Sequence, residues 1–178
     1  MWKVSGHTRR NLMSFLALLV VIGLTATTAF AVSPHFGPDT SFSLSSLIAD
    51  GTVAGLGNED ATVSLDAVGT PVVTCTNKGG GEVSGQNPPP VSAHGSQFLA
   101  HETHTTTGTS PFHVETAPPE PLSATDLGCP SNTWTATIDF VFWKDAGLAV
   151  TAGGLTSQQK FTCVTLRNPD SIGCTPLP

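Results

Sequence analysis

The residues Trp134-Thr135-Ala136-Thr137-Ile138-Asp139-Phe140-Val141-Phe142-Trp143, WTATIDFVFW, decide the fold class. Apolar side chains stand at every second position. Trp134, Ala136, Ile138, Phe140 and Phe142 share one face, and Thr135, Thr137 and Asp139 share the other. A period of two is that of a half-buried strand. Five apolar positions in register predict a strand at the centre of the core. Downstream, Lys144-Asp145 reads as a turn into a strand over Gly147 to Thr151. Gly153-Gly154 reads as a second turn, into a last strand through Phe161 and Cys163. The tail from Asn168 to Pro178 has no period.

Upstream the same alternation recurs. Ser41 to Ile48 and Thr52-Val53 read as a hairpin turning at Asp50-Gly51, a dipeptide that supplies the positive φ angles of a tight turn. Thr62 to Ala67 and Pro71 to Thr76 read as two strands. Val91 to Ala93, Gln97 to Thr106 and Phe112 to Ala117 read as three more. Asn77 to Pro90 reads as a long loop, because Gly79-Gly80-Gly81 is costly to order and Pro88-Pro89-Pro90 has no amide donors. A second proline-rich loop runs from Ala117 to Cys129-Pro130. No segment after the first thirty residues keeps a 3.6-residue apolar period. About eight or nine strands with closely spaced turn signals predict an all-β fold, a single antiparallel β-sandwich.

The first 31 residues carry a different pattern. Lys3, Arg9 and Arg10 precede an apolar run from Leu16 to Leu24, and Ala29-Phe30-Ala31 has the small-x-small form of a cleavage site. This is the pattern of a secretory signal peptide. The apolar run is shorter than the roughly 20 residues of a membrane span. It fits the general export route better than the twin-arginine route that Arg9-Arg10 suggests. Residues 32–178 are then one secreted domain with no stable membrane span. Removing Lys3, Arg9 and Arg10 from the seven basic residues leaves four against thirteen acidic ones. Such a chain has no electrostatic footprint for nucleic acid or anionic lipid.

Cys75, Cys129, Cys163 and Cys174 all lie in the exported part, and an even number there predicts two disulfides. Four cysteines allow three connectivities. Loop-closure entropy grows only logarithmically with loop length and does not choose among them. Position favours Cys75 with Cys129, which joins the two least regular loops, and Cys163 with Cys174, which clamps the tail. The other two connectivities remain open.

Several motifs follow one another along the chain: Asp50-Gly51-Thr52-Val53-Ala54-Gly55-Leu56-Gly57-Asn58, Cys75-Thr76-Asn77-Lys78-Gly79-Gly80, Gln86-Asn87-Pro88, Cys129-Pro130-Ser131-Asn132 with Trp134, and Phe161-Thr162-Cys163. In this order of motifs the chain resembles a group of uncharacterised secreted β-sandwich proteins of soil bacteria with high genomic GC content. The resemblance covers nearly all of the chain after the signal peptide. It implies a secreted β-rich domain, supports pairing Cys75 with Cys129 and implies no catalytic residues. Cys174 and His101-Glu102-Thr103-His104 are local to this chain.

Candidate chemistry is sparse. His101 and His104, joined in space by His94 and His113, would make a histidine cluster for zinc or copper. On a strand, however, His101 and His104 point to opposite faces. His113 and Glu115 share a strand face, as an acid–base pair would. Asn58-Glu59-Asp60 offers oxygen ligands without a calcium-loop spacing. Trp143 is a candidate ligand-binding side chain, for a sugar ring or a partner, if its face is open, and a core residue if it is not. No nucleophile elbow or phosphate loop is present. The expectation is a secreted, non-catalytic domain without a cofactor, structural or interaction-mediating, whose partner the residues do not specify, an extracellular protein or glycan being the class that fits the compartment. The alternative is a metal- or carbohydrate-binding module using the histidines or Trp143.

Overall fold

The structure is a computed structural model that describes residues 31–44, 46–165 and 171–178. All but Ala31 of the signal peptide assigned to residues 1–31 lies outside the described residues. The strands are β1 (His35–Phe36), β2 (Ser41–Ser43), β3 (Ile48–Ala54), β4 (Ala61–Thr76), β5 (Glu82–Ser84), β6 (Val91–Leu99), β7 (Ser110–Glu115), β8 (Thr135–Ala152), β9 (Leu155–Thr165) and β10 (Ile172–Pro176). Among the described residues there is no α-helix, only a 3₁₀ turn at His101–Thr103. No helix there is long and apolar enough to cross a membrane.

All strand pairs are antiparallel and form two sheets. In the first, β3 has β7 on one side and the short β1 and β2 on the other. The second runs β10-β9-β8-β4, with β6 and β5 both on the far side of β4. The sheets share one core. Ala49, Val53, Phe112 and Val114 of the first sheet pack with Val63, Leu65, Leu148 and Val150 of the second. Burying each of the larger side chains is worth about 1.5–3 kcal/mol. A smaller second core gathers Val73, Cys75, Leu127 and Cys129, with Trp134, Ala136 and Ile138 against it. The fold is therefore the all-β, two-sheet arrangement that the alternation predicts, with the cores set along the β4–β8 ribbon.

Several expectations need correction. Thr62–Ala67 and Pro71–Thr76 are one strand, β4, because its pairing with β8 continues across the break. β6 pairs with β4 as far as Gly69 and β5 takes over at Thr74, so Pro71 sits in the gap where a missing amide costs nothing. Asp50-Gly51 lies inside β3 and is not a turn. Gly51 is needed there for contact, since a Cβ would lie 3.1 Å from the Phe112 ring. The loop from Asn77 to Pro90 is interrupted by β5, which folds back on β4. The glycines before it make the turn: Asn77 Oδ1 accepts the amides of Gly79 and Gly81, and Gly80 takes φ 79°. The tail contributes β10, held to β9 with Cys174 directly opposite Cys163.

The largest correction concerns WTATIDFVFW. Lys144-Asp145 does not turn the chain, and β8 runs unbroken for 18 residues. Its register with β4 slips twice. Val72 faces Phe140 while Val73 faces Ile138, leaving Asp139 over, and Val68 faces Asp145 while Gly69 faces Trp143, leaving Lys144 over. Each extra residue is a β-bulge that exchanges the two faces of the strand. Ala136 and Ile138 thus point inward, Phe140 and Phe142 outward, and Val141 and Trp143 inward again. Beyond Lys144 the even positions, Ala146 to Ala152, regain the core.

Both disulfides are formed. Cys75–Cys129 spans 54 residues and Cys163–Cys174 spans 11, the pairing that position favours. No free cysteine remains among the described residues.

Candidate functional site

β8 has an open strand edge where its pairing with β9 stops, at the bulge beside Lys144. β9 pairs with β8 only from Asp145 to Ala152. Residues Thr135 to Trp143 therefore have β4 on one side and, among the described residues, no strand on the other. The segment Thr116 to Leu122 runs beside this edge. Its start is fixed: Thr116 N–H donates to the Leu47 carbonyl, Leu47 N–H donates to Thr116 Oγ1, and Ala117 N–H donates to the His94 carbonyl. After that come Pro118, Pro119 and Pro121, which have no amide hydrogens to offer β8. The strap lies close without closing the ladder.

Between strap and edge is a groove of about 550 Å³, within the usual range for ligand sites. Ile138, Val141 and Trp143 from the core face of β8 line it together with Phe140 and Asp139 from the outer face. Both faces can contribute only because the groove follows the edge of the strand. Leu127 of the second core and Leu122 of the strap add apolar wall, and Glu120 and Asp139 supply carboxylates. Among the described residues no Lys or Arg lines it. One oxygen of Asp139 accepts Thr74 Oγ1–H at 2.7 Å. Beside the groove, the Phe140 and Phe142 rings stack edge-to-face with centroids 4.6 Å apart, at 46% and 42% exposure.

The bulge at Asp139 exchanges the roles that simple alternation gives these aromatic residues. Trp143 is 4% exposed and packs in the main core. It forms an inner wall, not a free stacking platform. Phe140 and Phe142, expected in the core, are the aromatic surface. Nothing in the alternation distinguishes the two cases, because an Asp at the bulge sits on the polar face in either register.

The histidines do not converge. Among the described residues no three His, Cys, Asp or Glu side chains are placed to hold a metal ion. His94 pairs across β6–β4 with Asp66 at 2.8 Å, His113 across β7–β3 with Asp50 at 2.6 Å, and His101 with Asp60 at 2.8 Å. His101-Glu102-Thr103-His104 forms the 3₁₀ turn and its exit, not a strand. The His104 ring nitrogens are buried there without a hydrogen-bond partner among the described residues. Glu115 accepts a hydrogen bond from Ser46, so it and His113 serve different partners. Asp60 is engaged by both the backbone amide and the ring of His101. These bonds, the backbone one foremost, hold the Asp60 carboxyl below its ordinary value, and the ring bond raises His101 above its own.

No protein-family model, no curated protein and no solved structure matches the chain.

Proposed function

We propose that the chain is a secreted, non-catalytic binding domain that takes an extracellular macromolecule along the open edge of β8. The observation that supports this most is the groove itself. It joins a half-exposed, edge-to-face aromatic pair to an apolar channel along an unpaired strand edge. Exposed apolar surface of this kind marks interaction sites. Two disulfides are in keeping with an oxidising compartment, as the resemblance to secreted bacterial proteins implies. A photo-crosslinking side chain placed at Phe142, with a control at Gln158 on β9, tests the proposal in the native medium. Covalent adducts forming at position 142 and not at 158 are expected. Equal capture at both positions, or none at either, overturns it.

A further inference from the structure

Resting on that reading, we infer that the groove receives an extended peptide segment that adds as a strand to β8 and places a basic side chain beside Asp139. The edge determines the kind of ligand. From Thr135 to Trp143 the outward N–H and C=O groups meet no backbone partner among the described residues. An unpaired edge is satisfied best by another extended backbone, with alternate side chains entering pockets. The neighbouring strap cannot supply that backbone, because its prolines have no amides to donate.

Charge selects among peptides. Among the described residues, Glu120 and Asp139 line the groove without a cation, and the second Asp139 oxygen has no partner. The same charge disfavours a second copy of this chain. Asp139 is the midpoint of the free edge, so antiparallel pairing of two copies about that point would set one Asp139 opposite the other. Like charges directly opposite destabilise a strand pair. A carboxylate at the centre of the edge thus resists self-pairing and favours a cation.

The probe is a synthetic blocked heptapeptide, Val-Thr-Val-Lys-Val-Thr-Val, followed by fluorescence anisotropy against the oxidised protein. Replacing its Lys by Glu should weaken binding about five-fold or more. N-methylation of alternate amides on its pairing side should abolish binding. Asp139→Lys, at an exposed site, should reverse the Lys-over-Glu preference while leaving the melting temperature close to wild type. The inference is overturned by equal binding of the Lys and Glu peptides, by undiminished binding of the N-methylated peptide, by no binding of any peptide, or by an equilibrium dimer of the free protein in sedimentation. Crosslinks at position 142 to a glycan or to a folded protein surface would overturn strand addition and leave the broader binding proposal standing.

Discussion

Gly95 leaves no room for a side chain. A Cβ there would lie 2.1 Å from the Glu115 carbonyl oxygen and 3.1 Å from the Thr116 Cα. β6 of one sheet approaches the end of β7 of the other at this point, and the Ala117 amide reaches the His94 carbonyl. Gly95→Ala is expected to destabilise the fold by about 3 kcal/mol, at the upper end of overpacking costs because backbone must move. Urea denaturation measures it, and a loss under about 1 kcal/mol would show that the corner yields. At the other end of β6 the His101–Asp60 pair has a pH signature. His101 is raised in the folded state, chiefly by its hydrogen bond to Asp60, so this contribution is complete below about pH 6.5 and fades as pH rises through the folded value. Asp60 is lowered, so its contribution holds above its ordinary value of 3.8 and is lost as pH falls through the folded one. An NMR titration should place His101 above an unpaired histidine, and Asp60→Asn should return it. Both groups are exposed, so the effect on overall stability is small.

At the scale of elements, the strands were largely legible and their ends were not. Alternation locates β4, β7 and β8 because each has one buried face, and finds β6 as two pieces, Val91–Ala93 and Gln97–Thr106, where the structure has one strand ending at Leu99. It splits β4 at Val68-Gly69-Thr70, because a glycine just ahead of a proline does not show from sequence that the partner strand continues past it. It makes a turn of Lys144-Asp145 and overlooks the bulge at Asp139, since a surplus polar residue on an exposed face changes no local pattern. That one omission misplaces Phe140, Phe142 and Trp143 together, and it hides the groove. β10 was missed because five residues ending in Pro176 owe their order to the disulfide and to β9. The bulges can be tested directly. Deleting Lys144 should force either Trp143 and Val141 out of the core or the Ala146–Ala152 half out of register, at a cost of about 3–5 kcal/mol, comparable to losing a buried aromatic. Circular dichroism melting and tryptophan emission would report it. A deletion variant with an unchanged midpoint and emission would mean that the bulge at Lys144 does not set the faces.

For the whole molecule, the two disulfides guard different things. Cys163–Cys174 fastens an edge strand, and Cys75–Cys129 fastens the small core beneath the groove. Replacing both Cys75 and Cys129 by Ser is expected to cost about 4 kcal/mol, and replacing Cys163 and Cys174 about 3 kcal/mol. Only the first pair should raise hydrogen exchange at Leu127 and Trp134 to Ile138. Equal protection there in both variants would show that the second core stands without its staple. The sulfur bridges also have a mechanical consequence. A molecule drawn out by its two ends passes the load across each bridge, so the 54- and 11-residue loops stay slack. Under force, oxidised chains should stop short of reduced ones by on the order of 200 Å, the reach of those two loops at full extension.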